Sequence, residues 1–275
     1  VQDRLLRITM VAVLLALLAG VAGCTVFSDI VAAFQTEEVY EKSHAPDPDL
    51  RLKVLNRNGR VEIGLSDDEQ LHIHAVKRAF GAEDLEKVRI HAEKQEDAYL
   101  VESVYSEDNL RVSVDLKVAV PRGMEIASAD NSNGHLQVEN VPGNLQARTS
   151  NGNITLTNVA GFVTAHTSNG SVSVRNCSGL DEVRNSNGNI YVDIHEIRGD
   201  TQVRTSNGSI EALLHSAVDA SVELDTSNGQ VAAIHTRLNV LRDETTRLEG
   251  VVGDNTHDLL LETSNGNIEL QEFGG

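Results

Sequence analysis

The chain has 275 residues, 40% of them hydrophobic but only 3% aromatic and none tryptophan, and its formal charge is −18. That length can bury a sizeable core in one or two domains, and an aliphatic, glycine-rich composition points to a core built from thin strands. The acid excess repels nucleic acid and anionic lipid headgroups, so no nucleic-acid partner is expected.

The N-terminal stretch carries Arg4 and Arg7, an apolar run from Ile8 to Ala19, and the small residues Gly20-Val21-Ala22-Gly23 before Cys24. Such a run is too short to span a bilayer and has the dimensions of a signal-peptide core. Val-Ala-Gly-Cys resembles a lipobox, in which small residues let a peptidase reach the bond before a lipid-modified cysteine. The expectation is a lipoprotein signal peptide over 1–23, lipidation at Cys24, and a membrane partner engaged through several acyl tails, where a single tail is marginal. An ordinary secretory signal with an incidental cysteine is the plainer alternative. Either way the chain faces outside the cytoplasm, and with Cys24 modified Cys177 has no disulfide partner. Residues 24–49 read as a membrane tether, with apolar Val26-Phe27, Ile30-Val31 and Phe34 ahead of Pro46-Asp47-Pro48.

From Leu50 the pattern changes to period two. Leu50, Leu52 and Val54 precede Asn58-Gly59, and Val61, Ile63 and Leu65 follow it, which reads either as a hairpin or as a first coil of the later repeat. Further alternations around Leu71, Val88, Tyr99 and Val112 make 50–124 an irregular, strand-rich N-terminal part that caps the repeat, with a short helical turn within Ala79 to Lys87.

The repeat itself is Ser-Asn-Gly, starting at Ser132, Ser150, Ser168, Ser186, Ser206, Ser227 and Ser264, in steps of 18, 18, 18, 20, 21 and 37. A nearly fixed period means stacked coils, and the last step reads as two coils with one degenerate. Three residues before each serine, and four and six after it, the columns are aliphatic: Ala147, Ile154 and Leu156 are one such set. The intervening positions are polar and face water. An inward residue three before the serine and another four after it cannot share one face of a continuous strand, so Ser-Asn-Gly breaks the alternation. A second break falls at Asn140, Asn158 and Asn176. The fold class that follows is all-β: a single-domain, flattened β-solenoid of about 18 residues per coil, regular over 125–275. Asp181 and Thr201 violate the inward column, with Leu180 turning in through a local bulge as one explanation.

Glycine and asparagine suit corners because they accept left-handed backbone, and stacked amides can bond from coil to coil. Asn133, Asn151, Asn169, Asn187, Asn207, Asn228 and Asn265 are therefore expected to form a structural ladder. A row of antiparallel Asn-Gly hairpins is the rival architecture. Arg247 to Gly253 and the closing Leu259 to Leu270 are expected to cap the C-terminal end. The threonine column Thr149, Thr167, Thr205, Thr226 and Thr263 reads as corner hydrogen bonding, or else as a hydroxyl ladder for a repetitive surface.

The repeated Thr-Ser-Asn-Gly-Asn-Ile, with Leu116-Lys117-Val118-Ala119-Val120-Pro121 and Asn56-Arg57-Asn58-Gly59-Arg60-Val61 before it, resembles the toastrack family of adhesin-type envelope proteins over about Leu50 to Leu270. The resemblance implies an all-β solenoid, often tethered to a membrane and sometimes linked with envelope-stress systems, and carries no catalytic residues with it.

Nothing in the pattern supplies chemistry. His72 and His74 share an outer strand face with His91 nearby, but no cysteine or close carboxylate completes a metal site, and the other histidines are scattered. Glycan-cleaving β-helices need gathered carboxylates in a groove, whereas Glu139, Asp193, Glu211 and Glu223 belong to no local motif. No catalytic residue, metal or cofactor is expected. The function expected is a non-catalytic envelope lipoprotein binding a surface, an envelope protein or a glycan; the alternative is a regulatory module for a membrane signalling protein.

Overall fold

The computed structural model describes residues 4–8, 36–45, 47 and 49–273. Two sheets of 12 strands enclose one aliphatic core. Cys24, Phe27 and Phe34 lie outside the described residues, as does most of the expected signal peptide.

The N-terminal part comprises β1 (Arg4–Ile8), β2 (Thr36–His44), β3 (Arg51–Asn58), β4 (Val61–Leu65), β5 (Leu71–Ala79), α1 (Ala82–Leu85), β6 (Val88–Lys94), β7 (Ala98–Tyr105) and β8 (Ser113–Val120). Strands β3 and β4 form a true coil. The next strands are β9 (Ile126–Asn133) and β10 (Leu136–Glu139); β3 runs parallel to β9 with Asn58 opposite Asn133, and β4 runs parallel to β10. Asn58-Gly59 is thus a solenoid corner and not a hairpin turn. A further coil, β7 and β8, stacks outside β3 and β4. Antiparallel β5 and β6 then close the end, and the short helix falls within the segment expected to turn.

The tether boundary needs correction. Thr36–His44 pairs antiparallel with Leu71–Ala79 along its whole length, so residues 36–44 belong to the sheet. Its charged sequence hid this, because the residue it buries is Glu38. Glu38 is tolerated there by an ion pair at 2.7 Å with buried Lys77, whose ammonium also donates to the carbonyls of Leu85 and Val88. Strand β1, inside the expected signal peptide, lies antiparallel on β2, so removal of residues 1–23 would leave β2 as the sheet edge.

In the repeat, each coil gives a long strand to one sheet and a short strand to the other. After β9 and β10 come β11 (Leu145–Asn151) with β12 (Ile154–Thr157), β13 (Phe162–Asn169) with β14 (Val172–Arg175), β15 (Gly179–Asn187) with β16 (Ile190–Ile194), and β17 (Thr201–Asn207) with β18 (Ile210–His215). All pair in parallel and, apart from one shift between β13 and β15, in register, Ala147 with Ala165 and Ile154 with Val172, which rules out a row of antiparallel hairpins. The expected inward columns are buried: Ala129, Ala147, Ala165, Val183 and Val203 are all at 0% exposure. A register shift opposite Val163 places Leu180 inside and leaves Asp181 as the extra, outward residue. Thr201 remains inward and spends its hydroxyl on the carbonyls of Leu180 and Gly199.

The C-terminal coils depart from expectation. They are β19 (Ala220–Asn228) with β20 (Val231–Ile234), the hairpin β21 (Asn239–Asp243) and β22 (Arg247–Val252), and β23 (Asp258–Asn265) with β24 (Ile268–Phe273). The long-strand sheet runs β15, β17, β23, β19, β22: the last coil of the sequence sits between the two before it. The 37-residue step hides no degenerate coil. It holds a hairpin that caps β19 antiparallel and then returns the chain to the gap. Arg247 to Val252 is a cap as expected, whereas Leu259 to Leu270 is interior.

Candidate functional site

Each corner uses the repeat residues to hold coils together. The strand runs through the asparagine, glycine turns it, and the next strand starts two residues later. Gly170 has φ +133°, and a Cβ there would lie 2.3 Å from the carbonyl oxygen of Gly152 in the adjacent coil, so only glycine permits both the turn and the stacking distance. The seven expected asparagines come together as a continuous ladder. In spatial order each Nδ2 donates to the Oδ1 one coil back: Asn151 to Asn133 at 2.9 Å, Asn169 to Asn151 at 2.9 Å, Asn187 to Asn169 at 3.0 Å and Asn207 to Asn187 at 2.9 Å. Asn265 then donates to Asn207 at 2.9 Å and Asn228 to Asn265 at 3.1 Å. An eighth rung, Asn58, accepts from Asn133 at 2.8 Å. Its Asn-Gly was visible in the sequence, but the preceding serine was missing and Arg57 stood in its place.

The threonine column is buried, so it offers no hydroxyl surface. Thr167, Thr205 and Thr263 donate to the corner carbonyls of Gly152, Gly188 and Gly208 at 3.1, 3.1 and 2.9 Å. The interrupting Asn131 and Asn185 do the same through their amides to Gly59 and Gly170. At the second corner Asn140, Asn158 and Asn176 have φ of 56°, 55° and 49° and form a shorter ladder with bonds of 2.8 and 2.6 Å. Cys177 is buried beside it, and burial pushes its thiol up to about 11, leaving it protonated and inert near neutrality.

The outer face of the long-strand sheet holds a groove of about 760 Å³ that crosses successive coils. Its lining includes the exposed serine row from Ser132 to Ser206 together with Ser264. Beside that row stands the outward residue two before each serine, in the order Asp130, Arg148, His166, Arg184, Arg204 and Glu262, set side by side by the parallel register. Glu182 ties two of these together, 2.8 Å from His166 Nε2 and 2.5 Å from Arg184. The buried Nε of Arg204 lies 2.9 Å from Glu262, but its N–H is not aimed at that oxygen, so the contact is ionic and the donor stays unspent. Arg148 is exposed and makes no ion pair among the described residues. Sequence columns showed these residues as outward. That they line one trough follows from the parallel register.

The remaining candidates do not assemble. His72 bonds Ser43 and Asp68, at 2.7 and 2.8 Å, while His74 lies 3.7 Å from Glu41. Among the described residues no three His, Cys, Asp or Glu side chains are grouped as metal ligands would be. Glu139, Asp193 and Glu211 lie on the opposite sheet from Glu223. His195 and His215, scattered in sequence, stack at 5.4 Å beside Phe273; burial, followed by the His215 charge, lowers the pKa of His195.

Parallel coils with Asn-Gly corners, capped at both ends by antiparallel strands, define an all-β solenoid of the toastrack type. The family model Toastrack DUF4097 matches residues 50–271, and the chain belongs to that family. No curated protein matches it. Among solved structures it is similar to a "putative adhesin" from Bacteroides fragilis, with 11% identity over 84% of this chain and 96% of that chain and a TM-score of 0.42. Another "putative adhesin", from Parabacteroides merdae, has 10% identity over 86% and 96% and a TM-score of 0.37. A "putative cell adhesion protein" from Clostridium sporogenes has 11% identity over 85% and 99% and a TM-score of 0.32. No helix among the described residues is long and apolar enough to cross a membrane.

Proposed function

We propose that this chain is a non-catalytic binding module of the cell envelope, tethered by lipid on Cys24, whose groove on the long-strand sheet holds an extended surface polymer. One observation carries the reading. The repeat asparagines and threonines are consumed in coil-to-coil bonds, while the repeat serines and the outward residues beside them form a trough across successive coils. A trough perpendicular to the strands repeats every strand spacing, about 4.8 Å, close to the length of one sugar unit. It suits a linear polymer better than a compact ligand. Val21-Ala22-Gly23 before Cys24 supports the anchor.

Co-sedimentation of the protein with isolated envelope polysaccharide tests the binding. Retention without release of new reducing ends is expected, and chain cleavage would overturn the non-catalytic role. For the anchor, Cys24→Ala is expected to move the protein from the membrane to the soluble fraction, and unchanged membrane retention would refute lipidation.

A further inference from the structure

The groove gathers three arginines in a chain whose formal charge is −18. Arg148, His166, Arg184 and Arg204 occupy four adjacent strands, with Asp130 and Glu262 at the two ends of that row and Glu182 paired to His166 and Arg184 within it. The opposite sheet instead presents Glu139, Asp193, Glu211 and Glu269 around Arg175. Resting on the groove's role as a polymer site, we propose that its ligand is an acidic polysaccharide whose anionic groups dock on Arg148, Arg184 and Arg204.

Guanidinium presents a planar fork that pairs with carboxylate or phosphate through two parallel hydrogen bonds. Arg148 has this fork exposed and without an ion pair among the described residues, while the exposed Arg184 and the half-buried Arg204 lie beside it with one carboxylate contact each, to Glu182 and Glu262. The serine row beside them supplies hydroxyls that donate to or accept from sugar oxygens. No Phe, Tyr or Trp lines the trough among the described residues, so it lacks the large stacking platforms that single-stranded nucleic acids and neutral sugars use.

The net charge sets the conditions. At 0.15 M salt the screening length is about 8 Å, so solvent-exposed carboxylates outside the groove are largely screened by ions in the surrounding water. Near 0.01 M it lengthens to about 30 Å, the whole −18 is felt, and a polyanion is repelled. Near 1 M it shrinks to about 3 Å and the arginine contacts fade. Affinity therefore peaks at intermediate ionic strength, unlike a simple basic site, whose affinity falls throughout.

Fluorescence anisotropy with labelled oligogalacturonate tests this, using its methyl ester as the neutral control, poly(glycerol phosphate) as the phosphate probe and oligothymidylate as a rival polyanion. Oligogalacturonate is expected to bind at least as tightly as poly(glycerol phosphate), which has no sugar rings; binding of the phosphate polymer alone would overturn the polysaccharide. The ester and oligothymidylate are expected to bind at least about tenfold more weakly. Arg148→Glu with Arg184→Glu is expected to weaken binding about tenfold or more, and Arg175→Glu on the other sheet to leave it unchanged. Circular dichroism confirms the fold, and the milder Arg148→Gln with Arg184→Gln serves if the reversal disturbs it. If the ester binds as tightly as the acid and both are lost in the double variant, the acidic ligand is refuted and the groove stands. If oligothymidylate binds equally, selectivity for polysaccharide is refuted. Binding that ignores the arginines, or no polysaccharide binding at all, removes the ligand and the groove together.

Discussion

The central coils and the C-terminal coils reach the same stacking by different routes. From β9 to β16 the order of coils in space is their order in sequence, at steps of 18 residues. Beyond β17 the steps lengthen, and β23 enters between β17 and β19. Yet the asparagine bonds across the interleaved coil, 2.9 and 3.1 Å, match the 2.9 and 3.0 Å of the centre. The stack demands corner register and is indifferent to chain order. Corner identity is therefore the quantity that mutations should probe.

The largest effect is expected at the tightest corner. Gly170→Ala combines positive φ with backbone overlap and should destabilise by roughly 3 to 5 kcal/mol, whereas Gly123→Ala, with φ +123° and open space, bears only the φ strain; urea midpoints for the two separate overlap from strain. Next comes Leu261→Ala, fully buried in the interleaved coil, at about 2 to 5 kcal/mol. Val231→Ala in the half-buried edge coil should fall well below it; equal losses would show that the sequence-last coil is not interior. Thr167→Val leaves the Gly152 carbonyl without its donor and should cost about 1 to 3 kcal/mol, while Thr167→Asn should be nearly neutral because Asn185 already fills that role one coil away. Asn169→Ala removes two exposed ladder bonds, about 0.5 to 2 kcal/mol, and Asn228→Ala at the terminal rung should lose about half as much. An unchanged melting point for Asn169→Ala would sink the ladder.

The smallest effect concerns pH. His195 has its pKa lowered in the fold, mainly by burial and then by His215, with Asp193 opposing. The unfolded chain therefore binds protons more readily, so this contribution destabilises as pH falls through about 6.5 and vanishes above it. Melting curves at pH 7.5 and 5.5 should differ less in His195→Gln than in the parent protein.

The stacked corners were legible because each coil repeats the same steric problem and the same residues solve it. Ala147 over Ala165 and Asn151 over Asn169 match column by column in the sequence itself. The coil order at the C-terminus was not legible, because β19 and β23 carry the same Thr-Ser-Asn-Gly and either fits beside β17. β2 escaped because the side chain it buries is Glu38, which only the distant Lys77 makes tolerable. For the groove, Arg148, His166, Arg184 and Arg204 stood in an outward column. Their joining into one trough depends on flat, in-register stacking, and side-chain pairings such as Glu182 to both His166 and Arg184 are set by geometry across strands.

The interleaved coil has a consequence for how the molecule is made. A chain emerging from its N-terminus can stack β9 through β18 as each coil appears, but β19 cannot take its final place until β23 exists to lie beneath it. If β19 settles early on β17, their matching corners will let it, and the finished chain must then reopen that seam to admit its last coil. A truncated product that lacks β23 and β24 loses a course from within the wall, while β21 and β22 still cap β19. The order of assembly thus makes β23 and β24 the coil on which the final seating of β19 waits.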